Sequence, residues 1–193
     1  MPPGIASVLR LLQRGLPGVV MAFALCFPPV TRAQQGPAQR ESAVKAAFLY
    51  KFGTFVDWPA GTFLRPDAPF VIGVAGDEAV AADLEQLVAG RTVDGRPIVA
   101  RRVADLANPG EVHVLFVGEQ REQRLRDGLA QVKGPVLLVS DQENGLRSGS
   151  VINFSATGGK VRFSISLASA EARSLRLSAR MLAVAQTVEG TTR

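Results

Sequence analysis

Residues 70–77 read Phe-Val-Ile-Gly-Val-Ala-Gly-Asp, an unbroken apolar run that ends in a glycine and an aspartate. A strand with one face in solvent would alternate apolar and polar residues, whereas an unbroken run is typical of a strand covered on both faces. Similar runs follow at 112–117 and 135–139. Because helices usually cover such strands, the three runs predict a largely parallel sheet between two helical layers.

The segments around these runs complete an α/β pattern that changes near the C-terminus. Residues 150–155 and 160–167 predict a β-hairpin, because a short glycine-rich connection separates them. The predicted fold class is therefore α/β, a three-layer α/β/α sandwich with a central, largely parallel (mixed) sheet and a C-terminal β-hairpin. The remaining predicted elements are helices at 41–56, 78–89, 119–132, from 168 onward and at 178–188, and a strand at 97–103.

The N-terminal segment has the order of a signal peptide. Arg10 and Arg14 precede an uncharged apolar run at 15–30, which contains prolines and is shorter than a membrane span requires. Ala33 supplies the small residue expected at the cleavage site. We therefore expect a Sec-type signal peptide at 1–33, a flexible lead at 34–40, a single domain at 41–188 and a tail at 189–193. Such a signal predicts export to the periplasm.

The positive charge of the chain comes mostly from this segment. The whole chain has 22 basic and 17 acidic residues, a net charge of +5. Cleavage after residue 33 removes Arg10, Arg14 and Arg32, which leaves the rest of the chain close to neutral. A nucleic-acid-binding domain usually carries a strongly basic surface. We therefore expect no nucleic-acid partner.

Composition disfavours most catalytic and metal-dependent functions. The chain has one Cys and one His, whereas a zinc site needs three or four nitrogen or sulfur ligands. Cys26 lies in the predicted signal peptide, so we expect no disulfide after export. His113 lies in an apolar strand and is expected to be a buried imidazole, although a hydrolase that uses it is an alternative. We expect no enzyme activity, no metal site and no cofactor.

Five residues are candidates for a ligand-binding site at one end of the sheet. Asp57 and Trp58 leave the first predicted helix, and Trp58 is the only tryptophan. Arg176 precedes Ser178, which is expected to begin the last helix, and a helix N-terminus favours anions. Ser164 lies on the polar face of the hairpin. These residues would suit a small anionic ligand; the alternatives are a tryptophan that covers the sheet end, a solvated strand face and a solvent-facing arginine.

One N-terminal signature and several later segments resemble a known family. The signature reads K-A-A-F-L-Y-K-F over 45–52 and continues as V-D-W-P over 56–59. The later segments are 113–117, 136–141, Gly149 with 151–154, 161–163 and 175–182. Together they resemble the YfiR-like family of secreted bacterial proteins over residues 42–186.

The resemblance implies a periplasmic α/β protein that regulates signalling. It implies binding to the periplasmic sensor region of an inner-membrane diguanylate cyclase, which is held inactive until an outer-membrane lipoprotein sequesters the repressor. Cyclic di-GMP, and through it biofilm formation and motility, would be the output. A small-ligand-binding module that serves another receptor, such as a histidine kinase, is the alternative, and a homodimer is compatible with either.

The chain departs from the family pattern at two positions. Members commonly carry Cys just before the His-Val-Leu-Phe run and in the first strand, which correspond here to Val112 and Gly73. The resemblance therefore implies that any redox control through that disulfide is absent from this protein.

Overall fold

A computed structural model describes residues 36–118 and 120–190. The predicted signal peptide at 1–33 lies outside these residues. Within them, no helix combines the length and the apolar character that a membrane span requires. The helices are α1 (Pro37–Phe52), α2 (Glu78–Val88), α3 (Glu122–Gln131), α4 (Leu167–Ala172) and α5 (Ala179–Val184). The strands are β1 (Val56–Asp57), β2 (Phe70–Ala75), β3 (Thr92–Val93), β4 (Arg96–Arg102), β5 (Val114–Val117), β6 (Leu137–Ser140), β7 (Ile152–Thr157), β8 (Lys160–Ser166), β9 (Arg176–Leu177) and β10 (Thr187–Glu189).

Eight of these strands form one mixed sheet in the order β10-β8-β7-β6-β5-β2-β4-β3. Strands β4, β2, β5, β6 and β7 run parallel to one another, whereas β7 pairs antiparallel with β8 in the hairpin and β4 pairs antiparallel with β3. β10 returns to run parallel to β8 at the edge. The other two strands, β1 and β9, form a separate antiparallel pair. The predicted α/β class, the largely parallel mixed sheet and the C-terminal hairpin are confirmed.

Apolar side chains cover both faces of the sheet, as the unbroken runs predict. On one face, Leu49 of α1 and Leu84 of α2 are fully buried against the sheet. On the other face, Leu125 and Leu129 of α3 pack in a second cluster. The sheet therefore separates two apolar cores, and the predicted three layers are present.

Helix α1 has different ends from those predicted. It begins at Pro37, four residues before the predicted start, because proline has a suitable φ for a first turn and the N–H it lacks needs no partner there. Residues 37–40 therefore belong to the helix and not to the lead. The helix ends at Phe52, and the next residue, Gly53, lies so close to the Phe70 ring that a Cβ there would be 2.8 Å from Cε1.

The last predicted helix is shorter than expected. α5 ends at Val184 and not at 188, and residues 187–189 form strand β10. The Gln186 N–H donates to the Phe163 carbonyl at 2.8 Å, so the chain meets the sheet edge directly after α5. Hydrogen bonds to β8 replace a helix whose continuation would have had few apolar contacts.

Candidate functional site

Pairing of β1 with β9 brings together two of the five predicted site residues. Asp57 lies opposite Arg176, and Val56 lies opposite Leu177. The Ser178 N–H donates to the Phe55 carbonyl at 2.9 Å and extends this short ladder. The segment that follows α1 is thereby held against the segment that follows α4.

A cavity of about 470 Å³ lies beside this pair of strands. Trp58 joins Asp57 and Arg176 in its wall, so three predicted site residues share one cavity. Its lining residues are Asp57, Trp58, Pro59, Glu171, Ser174, Leu175 and Arg176. The cavity is part polar and part apolar, which is the usual character of a small-molecule site.

Trp58 both covers the end of the sheet and lines the cavity. Its indole packs edge-to-face on Phe70 and on His113, with ring centroids 5.6 and 6.1 Å apart. The indole Nε1 is buried and has no hydrogen-bond partner among the described residues. A buried donor without a partner costs about 1–3 kcal/mol.

Charges of both signs surround the cavity. Arg176 is exposed and has Asp57 directly across the strand pair, while Glu171 lies in the same wall. The β1–β9 pair brings Asp57 to Arg176 from a distant part of the chain. A ligand with both an anionic and a cationic or donor group would complement this wall better than a simple anion.

The two predicted serines do not line this cavity. Ser178 is the N-cap of α5, where its Oγ accepts from the Met181 N–H at 3.3 Å. Ser164 lies on β8, opposite Asn153 of β7 and Thr187 of β10. Its place in the main sheet separates it from the residues of the β1–β9 pair.

His113 is buried beneath the same end of the sheet. It is only 2% exposed and stacks on Phe63, with ring centroids 4.6 Å apart. Its Nδ1 accepts from the Val71 N–H at 3.0 Å, which makes the neutral ring with a proton on Nε2 the fitting tautomer. Burial lowers the pKa of His113, against a smaller opposing effect of Glu111. The expected buried imidazole is confirmed, and its Nδ1 is already occupied.

A buried ion cluster at the other end of the parallel strands was not predicted. Lys45 appeared to lie off the apolar stripe of α1, but it is only 8% exposed. Its Nζ lies 2.8 Å from a carboxylate oxygen of Asp141, which follows β6, and 2.8 Å from one of Glu41. The first residue of the N-terminal signature, Lys45, therefore contacts the last residue of the 136–141 segment, Asp141.

Burial and pairing act against each other on the pKa values in this cluster. Burial raises the pKa of Asp141, and the hydrogen bond from Lys45 opposes that effect only in part. Burial lowers the pKa of Lys45, but hydrogen bonds to Asp141 and Glu41 outweigh it and leave that pKa above its usual value. The Oδ1 of Asp141 is buried without a partner in the part of the chain described.

No three residues among His, Cys, Asp and Glu are arranged to hold a metal ion within residues 36–118 and 120–190. The positions that correspond to the family cysteines are, however, close together. A Cβ on Gly73 would lie 3.0 Å from Cγ1 of Val112. The departure from the family pattern therefore occurs at two neighbouring positions in space.

Comparison with known proteins identifies the family. No curated protein is significantly similar to the chain. The model of the YfiR/HmsC-like family matches residues 42–186, which is most of the described region. The match includes most of α1 with its buried lysine, the main sheet without β10, and the β1–β9 pair with Trp58. The chain belongs to the YfiR/HmsC-like family.

Proposed function

We propose that this protein acts in the periplasm, where it binds and inhibits the sensor region of an inner-membrane diguanylate cyclase. The family match over residues 42–186 carries this proposal, because the YfiR/HmsC-like family suggests a periplasmic regulator of diguanylate cyclase signalling. The order of residues 1–33 supports export. In this proposal the protein is a regulator and not an enzyme, and an outer-membrane lipoprotein relieves the inhibition by sequestering it.

The cyclic di-GMP level of the cell tests the proposal. The protein is produced together with an inner-membrane diguanylate cyclase that has a periplasmic sensor region, and cyclic di-GMP is quantified by mass spectrometry. We expect the level to fall when the full chain is produced and to stay high when residues 1–33 are deleted, because the protein then cannot meet the periplasmic sensor. An equal fall with both forms, or no fall with either, would contradict the proposal.

A second candidate function is the capture of a small ligand on behalf of another receptor, such as a histidine kinase. The observation that favours it is the 470 Å³ cavity, whose wall combines Trp58 with Asp57 and Arg176. Asp57, Trp58 and Arg176 would contact this ligand, with Arg176 placed to bind its anionic group. Ser178 would contribute through the α5 segment that it caps, and Ser164 is left outside by its position on β8.

Trp58 fluorescence reports on this second candidate, because Trp58 is the only tryptophan. Nucleotides and amino acids are titrated into the protein and into the Arg176→Ala variant. A charge-assisted hydrogen bond contributes about 1.5–3 kcal/mol, so its loss should weaken an anionic ligand roughly ten- to a hundredfold. Arg180→Ala, on the exposed side of α5, is the matched control and should bind as the parent does. The ligand site is wrong if no compound changes the fluorescence or if Arg176→Ala leaves the affinity unchanged.

A further inference from the structure

The last strand of the sheet covers only half of its neighbour. β8 runs from Lys160 to Ser166, but β10 pairs only with residues 164–166. On its other side, β8 is paired with β7 along its whole length. Residues 160–162 therefore form an open sheet edge, which is called here the β8 edge.

The backbone of Val161 points out of this edge. The Phe163 carbonyl accepts from Gln186 on the outer side, whereas the Ser166 N–H donates to Val151 on the β7 side. Because successive residues of a strand present their N–H and C=O groups to alternate sides, Val161 presents both groups outward, as Phe163 does. Neither group of Val161 has a strand partner in the described sheet, and such an edge is a template for an additional strand.

The two faces of the β8 edge differ in chemistry. Val161 and Phe163 point toward α1, and the cavity of about 270 Å³ beside them is lined by Phe48, Val184 and Ala185 together with Lys160, Arg162 and Gln186. Val184 is 70% exposed, although its side chain is apolar. On the opposite face, Lys160 and Arg162 are exposed, and neither has an ion pair among residues 36–118 and 120–190.

We propose that the β8 edge accepts an extended segment of a partner protein as an added strand, and that this segment carries an apolar residue between two acidic ones. Residues directly opposite each other in neighbouring strands share a face of the sheet. The residue opposite Val161 therefore lies on the apolar side of this cavity, beside Phe48. Its two neighbours lie beside Lys160 and Arg162, where acidic side chains are favoured.

A second copy of this chain fits the β8 edge poorly. Antiparallel pairing of two such edges about Val161 would place Lys160 of each copy opposite Arg162 of the other. Like charges directly opposite each other destabilise a strand pair. The occupant is therefore a different protein with acidic residues, and the inference does not depend on whether that protein is a diguanylate cyclase.

Peptide binding to the protein made from residue 34 onward tests this inference. The probe is a fluorescein-labelled heptapeptide with Gly at both ends and alternating Glu and Val between them; the control peptide has Lys in place of Glu. We expect the anisotropy to show saturable binding of the glutamate peptide only. Hydrogen exchange of the Val161 and Phe163 amides should slow when that peptide is bound. Equal binding of both peptides, or protection confined to other strands, would overturn the proposal.

Variants at the β8 edge separate the contribution of the backbone N–H to peptide binding from the contribution of the charged side chains. Val161→Pro removes the outward N–H, which β7 does not use, and proline is tolerated at such an edge position. Its matched control is Val161→Thr, which keeps the N–H and the branched side chain. Lys160→Glu/Arg162→Glu should weaken the glutamate peptide roughly tenfold or more, because two attractive pairs become repulsive.

Peptide binding at the β8 edge and inhibition of the cyclase can succeed or fail independently of each other. Val161→Pro should lose peptide affinity, whereas Val161→Thr should retain it. If the proline variant does not fold, the charge-reversal variant and the amide protection of the parent still test the proposal. Dimerisation of the parent that Val161→Pro abolishes would identify a second copy as the occupant and would overturn the choice of a partner protein. Peptide binding without any effect on cyclic di-GMP would contradict only the proposed function.

Discussion

A single lysine links the first helix to the parallel sheet. Lys45 and Asp141 are 96 positions apart, and their side chains are only 10% and 13% exposed. Partners this far apart cannot be recognised from helical periodicity, which is why Lys45 looked like an ordinary surface residue of α1. Removal of one member of a buried ion pair is strongly destabilising, since it leaves the other charge buried and unpaired.

We expect Lys45→Met to reduce the free energy of unfolding by about 3 kcal/mol at pH 7. The loss should shrink as the pH falls to 5, because burial raises the pKa of Asp141 and the folded variant can then bind a proton there more readily than the unfolded chain. Urea denaturation at both pH values measures the effect. The control is Lys51→Met on the exposed side of the same helix, and Lys45→Met/Asp141→Leu should recover part of the loss. Equal losses in the two single variants would contradict the prediction.

His113 should control the stability of the fold in mild acid. Its pKa is lowered by burial, so between that pKa and the unfolded value of about 6.5 the unfolded chain binds more protons than the folded one. Stability due to His113 is therefore present above pH 6.5 and is lost as the pH falls, by up to about 1.4 kcal/mol per pH unit. Charged neighbours, Glu111 and Arg96, act on this ring in opposite directions.

We expect His113→Asn to remove most of the pH dependence of the thermal midpoint between pH 7 and pH 5. Asn keeps an acceptor for the Val71 N–H but does not titrate in this range. Because His113 is the only histidine, the untagged protein and its variant differ by this one group. A variant whose midpoint falls as steeply as that of the parent would assign the effect to carboxylates instead.

At the scale of elements, Gly73 of β2 and Val112, two residues before β5, lie close together. A Cβ on Gly73 would lie 3.0 Å from Val112 Cγ1, and 3.1 Å from a methyl group of Leu115. In a disulfide, the S–S length and the bond angles put each sulfur about 3 Å from the opposite Cβ. The Cγ1 of Val112 therefore occupies the place that a bonded sulfur would take.

The variant Gly73→Cys/Val112→Cys should form a disulfide without reagents other than air. We expect the protein made from residue 34 onward to gain about 2–4 kcal/mol when oxidised and to lose it in dithiothreitol. Mass spectrometry counts the thiols, and urea denaturation measures the gain. Gly73→Cys alone is the control, and it should be less stable than the parent because its side chain meets Val103 and Val112. Two free thiols after exposure to air would show that the positions cannot be bridged.

The elements that could be predicted are those whose pattern is local. The runs at β2, β5 and β6 specify buried strands by composition alone, and the glycines between β7 and β8 specify their hairpin. β1, β9 and β10 have two or three residues each, and their partners are far along the chain. Their positions follow from tertiary pairing, so the sequence reading extended α5 through residues that actually form β10.

At the scale of the whole molecule, the candidate site also depends on pairing between distant segments, which limits how much of it can be predicted from the sequence. Asp57, Trp58 and Arg176 were chosen for their residue types and their places at the ends of elements, and the structure brings all three to one cavity. Ser178 was correctly placed as a helix cap, but its side chain is used by α5. The direct placement of Asp57 opposite Arg176 could not be foreseen, because only the β1–β9 register determines it.

Export should produce a mature chain that begins near Gln34 and contains no cysteine. We expect mass spectrometry of a periplasmic extract to find this new N-terminus, because Arg10, Arg14, the apolar run and Ala33 follow the order of a signal peptide. The thermal midpoint of this protein should not change in dithiothreitol. An intact Met1 form in the cytoplasm, or a midpoint that falls in reductant, would contradict the prediction.

The pairing of β1 with β9 has a consequence for the time at which the cavity can form. Trp58 and Asp57 are made early, whereas Glu171 and Arg176 belong to the end of the chain. Ribosomes and translocation channels release a chain from its N-terminus onward, and contacts between distant segments are slow to close. A nascent chain can therefore assemble α1 with α2, and β2 with β4, while this cavity is still open on one side. A ligand of this cavity would engage only copies whose residues 171–176 have been released.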